Sequence, residues 1–261
     1  MDPLIADLDS KGLQELVRSR ELDELEVLQV LRSPFCTAQI AEEIASNRRA
    51  LDAHGVRERL ASFPGFNFGR ALDFLGTLPW TSLLSVAQAP KTPPVIRRQA
   101  ERKLVNQIQS MALGEKIALA RRAHRAIFKV LIAIGDGQVL SALLDNGRLV
   151  ENDILVMLNT AKPPPDFFAE LARHRRWGQY FRVRRALVEC PNTPYPLALS
   201  VLVQLPQAEL RRALVRPDIP DNVRNAAEAL LEREAQGLRR VIDFSVYDGD
   251  GGAAQPPEDL R

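Results

Sequence analysis

Aromatic residues make up only 6% of this 261-residue chain, and runs of β-branched residues are few. That argues against a core built from sheets. Cysteine is nearly absent. Cys36 and Cys190 lie far apart in no metal-ligand spacing and read as small buried hydrophobes in a reducing compartment. Glycine (14) is outnumbered by proline (18). No long apolar run exists. Ile127 to Ile134 is interrupted by Lys129 and is too short to span a membrane. The opening MDPLIADLDSKG has neither a basic start nor an apolar core, so no signal peptide is expected. These absences predict a soluble cytoplasmic protein. What remains, rich in Leu, Ala and Arg, predicts an all-α chain of short helices separated by proline turns.

Catalytic patterns are missing too. His54, His124 and His174 have no second ligand at metal spacing on a helix face. The Asp-Gly-Asp-Gly-Gly segment at 248–252 lacks the flanking helix and distal Glu of a calcium loop. There is no GxxxxGK[ST] phosphate loop and no nucleophile elbow. The expectation is a protein that is not an enzyme and takes no metal or cofactor.

The sequence does contain a copy of itself. Displaced by 127 residues, Leu4–Leu104 lies on Leu131–Leu231 without a gap, and about thirty of the 101 pairs are identical. They include Asp9/Asp136, Glu43/Glu170, Arg48/Arg175, Arg49/Arg176, Val56/Val183, Arg57/Arg184, Pro79/Pro206 and Arg97/Arg224. Within this long period lies a shorter one. Segments opening at Val56, Ile96, Val139, Val183 and Val223 are spaced by 40, 43, 44 and 40 residues. Helical units of that size cannot bury both faces alone and must stack on neighbours.

The stretches VRRALVECPNTPYPLALSVL and VLSALLDNGRLVENDILVML resemble HEAT-like or leucine-rich-variant repeats over about residues 4–231. The resemblance implies a right-handed α-solenoid of about 5–6 helical repeats. Its first half would cover 1–130, its second half 131–240, and 241–261 would be a short extended segment with an acidic disordered tail. Asp218 precedes Val223-Arg224 as an Asp precedes Val-Arg in such units, whereas Lys91 stands at the matching place before Ile96-Arg97. The repeat pattern predicts helices near 37–47, 164–174, 179–189 and 207–214, among others. It predicts one long helix over 114–134, joining the two copies.

Charge is distributed unevenly. Residues 1–52 carry 6 Lys/Arg against 11 Asp/Glu, 53–242 carry 28 against 17, and 243–261 carry 1 against 5. The basic body is densest at Arg173, Arg175, Arg176, Arg182, Arg184 and Arg185, interleaved with Trp177 and Tyr180. Arg48, Arg49 and Arg57 are the counterparts of Arg175, Arg176 and Arg184. Arginines repeated along a groove could grip carboxylates or phosphates by paired hydrogen bonds, and Trp177 and Tyr180 could stack on a ring. Equally, the arginines could pair with Glu170, Glu189 and neighbouring repeats while Trp177 fills the core. The leading expectation is a non-enzymatic scaffold that binds a protein partner, such as an acidic segment, through this basic surface. The alternative is nucleic-acid binding, since HEAT-like alkylpurine DNA glycosylases share this size and a basic concavity. Their Trp-Asp-Arg constellation has no place in this sequence. A third expectation is that the acidic tail folds back on the basic body.

Overall fold

The computed structural model describes Ile5 and residues 7–240. Among these are sixteen α-helices, two 3-10 turns and no strand. The chain divides into two compact units between Ala112 and Leu113. The extended segment and acidic tail expected over 241–261 lie outside the described residues.

The first unit contains α1 (Ser10–Ser19), α2 (Glu24–Arg32), α3 (Ala38–Ser46), α4 (His54–Ala61), α5 (Phe68–Thr77), α6 (Trp80–Gln88) and α7 (Pro94–Ile108). A 3-10 turn, Ala50–Asp52, leads into α4. The second unit contains α8 (Leu113–Arg122), α9 (Arg125–Ile134), α10 (Gly137–Leu144), α11 (Glu151–Thr160), α12 (Pro165–Arg173), α13 (Phe181–Glu189), α14 (Tyr195–Leu202), α15 (Gln207–Val215) and α16 (Asp221–Ala235). Its 3-10 turn is Trp177–Gln179. The main packing partners of each helix are its first or second neighbours in the chain, such as α2 on α4, α5 on α7, α10 on α12 and α14 on α16.

Helix starts follow local chemistry. Asp9 and Asp136 sit 127 residues apart, and each accepts backbone N–H bonds at the start of its helix. Asp23 and Glu26 form a reciprocal capping box on α2. Proline occupies the residue before α6, α7, α12, α14, α15 and α16, where its fixed φ suits the entry and its missing N–H costs nothing. Several bounds recur at the same offset. The helices at 38–46 and 165–173, at 80–88 and 207–215, and at 94–108 and 221–235 coincide end for end, as do the two 3-10 turns.

One expectation is corrected. The long helix over 114–134 is two helices, broken at Ala123 and His124, where His124 is extended (φ −100°, ψ 168°). Neither residue is Gly or Pro. The break is held from outside. The buried Asn146 amide donates to Ala120 O at 2.7 Å and to Ala123 O at 3.0 Å, and Arg148 Nη1 donates to Arg122 O at 3.2 Å. These donors satisfy the carbonyls that a continuous helix would have used. The helices α8 and α9 both pack on α10, and all three belong to the second unit.

The core of each unit is aliphatic, with few rings. The largest fully buried side chains are Trp177, Phe128, Phe167 and Phe168, all in the second unit. Burying each such ring contributes roughly 2–3 kcal/mol.

Candidate functional site

The arginine-rich stretch 173–185 runs from the end of α12, through the 3-10 turn, into α13. His174 organises the turn. Its Nδ1 accepts the backbone N–H groups of Arg176 and Trp177, each at 3.3 Å. The hydrogen is therefore on Nε2, which faces Asp145 Oδ1 at 3.6 Å. Asn47, the counterpart of His174, does the same work with Oδ1, accepting Arg49 N–H at 3.0 Å. Asn and His present an acceptor at a similar reach, which is why they exchange here.

Trp177 is 1% exposed. Its indole N–H donates to Leu144 O at 2.9 Å, at the end of α10. Its ring meets Tyr180 at 5.5 Å and carries the Arg176 guanidinium 4.1 Å above it. A ligand base or ring therefore has no free face of Trp177 on which to stack. Tyr180 remains 42% exposed beside it, with Phe181 next in the chain. Gly178 is the enabling residue: a Cβ there would lie 2.2 Å from Ala172 O.

Most of the candidate arginines are engaged within the chain. Arg176 donates to Leu149 O at 3.2 Å. Arg182 faces Glu151 at 3.5 Å, and Arg185 faces Glu189 at 3.6 Å. Arg184 donates from Nε to Gly178 O at 2.7 Å and from Nη2 to Gln179 at 3.2 Å. In the first unit, Arg49 pairs with Glu21. Arg57 donates to Thr77 Oγ1 at 2.9 Å and contacts His54. Arg48 is exposed, with no side-chain partner among the described residues. Glu170, one acid expected to pair with the arginines, meets Ser141 instead. Asp218 engages Arg216, not Arg224, and Arg216 also reaches Glu189 at 2.7 Å. Arg224 is held by Asp221.

Arg173 and Arg175 differ from the engaged arginines. Both are exposed, have no partner among the described residues, and line an open cleft of about 980 Å³. A second cleft of about 550 Å³ reaches Asp136, Gln138, Arg121 and Pro164. The two share Asp145, Asp166 and Glu170, so they form one groove along α10 and α12. Its middle carries three carboxylates, with Arg173 and Arg175 at one end and Arg121 at the other. The sequence signalled the arginines through their density. It named Glu170 only as a partner for the arginines and missed its grouping with Asp145 and Asp166, which come from the end of α10 and from α12 and line one groove only through packing.

Among the described residues, no group of three or more His, Cys, Asp or Glu side chains could hold a metal ion, and no helix is long and apolar enough to cross a membrane. No family model, curated protein or solved structure matches this chain.

Proposed function

We propose that this chain is a non-enzymatic, internally duplicated helical-repeat scaffold, a HEAT-like or leucine-rich-variant α-solenoid, that binds a protein partner in the α10–α12 groove. Three features support the architecture. Packing runs between first and second neighbours, helix bounds recur 127 residues apart, and about thirty identities recur at the same offset. The observation that carries the binding reading is the exposed, unpaired Arg173–Arg175 rim on an open cleft, in a segment whose other arginines are spent internally. Two unpaired guanidinium groups on a groove rim suit carboxylates of an acidic segment.

The experiment is site-specific photo-crosslinking from position 169, which lines the same cleft, in native cell extract. One crosslinked protein partner is expected, lost in Arg173→Glu/Arg175→Glu and kept in Arg182→Glu. A crosslink to nucleic acid, or a partner indifferent to the double variant, overturns the reading.

A further inference from the structure

The two copies differ most informatively where Glu43 and Glu170 stand at the same position. In the first unit, Glu43 is fully engaged. Arg18 grips it side-on, with Nε 3.1 Å from Oε2 and Nη2 on Oε1, and Gln14 Nε2 donates to Oε1 at 2.9 Å. Donors thus reach both oxygens from α1, and this holds the Glu43 carboxyl below its ordinary range.

In the second unit, Gln14 is replaced by Ser141 and Arg18 by Asp145. Glu170 keeps one hydroxyl donor, from Ser141, and has no cationic partner among the described residues. Asp145, which lines the same cleft, is 63% exposed at the side chain and among the described residues meets the His174 Nε2 edge at 3.6 Å. Asp166 lines the same space. A cation has been exchanged for an anion, and that position borders the groove along α10 and α12.

We propose that the Ser141–Asp145–Glu170 pocket is an arginine subsite: it receives the guanidinium of an arginine side chain from the partner, in the position that Arg18 holds in the first unit. This deepens the scaffold reading and rests on it. The charge requirement follows from Asp145 and Glu170, which line one groove and form no ion pair with a Lys or Arg among the described residues. Preference for arginine over lysine follows from the template, in which Nε and Nη2 engage both oxygens of one carboxylate. An ammonium group cannot reproduce that fork. The bound segment then carries mixed charge, with acidic groups on Arg173 and Arg175 and one arginine between α10 and α12.

The test uses the full chain and N-acetyl-arginine amide, with N-acetyl-lysine amide as the comparison, read by backbone amide NMR. Saturable shifts at Ser141, Asp145 and Glu170 are expected with arginine amide at ~1–10 mM, and at least about ten-fold weaker binding with lysine amide. Glu170→Gln should abolish the response. Ser141→Gln/Asp145→Arg rebuilds the first unit's pair, so it should also abolish the response while keeping the melting temperature at or above that of the parent. No saturable shift in the parent chain, or a response that survives in Glu170→Gln, overturns the subsite. If photo-crosslinking from position 169 still depends on Arg173 and Arg175 in that event, the scaffold reading stands without it. If that crosslink is absent while arginine amide binds as expected, the pocket binds a guanidinium group, but the scaffold reading and the assignment of that group to a protein partner both fail.

Discussion

Trp177 illustrates how one residue changes meaning between sequence and structure. Amid arginines and aromatics, it reads as a stacking platform or, the favoured reading, as core. Its 1% exposure and its bond to Leu144 O make it a structural anchor between α10 and the 3-10 turn. Trp177→Ala should cost about 3–5 kcal/mol in urea unfolding, and Trp177→Phe less, since it retains most of the ring and loses the N–H. Gly178→Ala should also destabilise the fold, by about 1–3 kcal/mol, because Ala172 O must move to admit a methyl group.

Cys36 offers a pH-dependent check at the same scale. Burial pushes its thiol up to about 11, partly offset by Arg59. At pH 8, alkylation of the folded protein should be about a hundred-fold slower than that of the unfolded chain, and it should accelerate as pH approaches 11. The folded state holds this proton longer than the unfolded one. The thiol's contribution to stability is therefore fully present below the unfolded value near ~8.5 and is lost as pH rises through the folded value. Glu43 has the opposite sign. The Arg18 bond lowers its carboxyl, so its contribution is present above the ordinary carboxylate range and lost as pH falls through the depressed value. Carboxyl-carbon NMR titration should record this depression and its loss in Arg18→Ala.

At the level of elements, side chains from later in the chain end earlier helices. Asn146 closes α8. Arg59 donates to Leu31 O with Nε at 3.1 Å and Nη2 at 3.0 Å, at the end of α2. At the corresponding Leu158 O, the donor is the Cys190 thiol at 3.6 Å. The carbonyl position is shared while the donor has changed, because any hydrogen-bond donor that reaches it removes the cost of a buried unpaired oxygen. Asn146→Ala should therefore lower stability by about 1–3 kcal/mol. Because the amide holds open the break at Ala123–His124, hydrogen exchange should rise first at the ends of α8 and α9. Proline placement was legible in advance, since each proline tolerates only a helix entry or a turn. The Ala123–His124 break was not, because its cause lies more than twenty residues away.

Across the whole molecule, packing between chain neighbours predicts graded stability. In Trp177→Ala, deuterium uptake should increase over α10–α13 and remain near the parent level over α4–α7. A uniform rise across both units would contradict that expectation. The sequence alone determined the helical class, most helix positions and the 127-residue correspondence. Composition, proline and apolar periodicity act locally, and segments of similar sequence carry similar local instructions. Tertiary structure decided which arginines are spent, where Trp177 points and where carboxylates converge. Arg18 lies in the last turn of α1 and Asp145, 127 residues on, caps the end of α10, yet whether an ion pair closes there depends on what each faces across the packed interface. That pairing is a property of distance in space, which spacing along the chain does not encode.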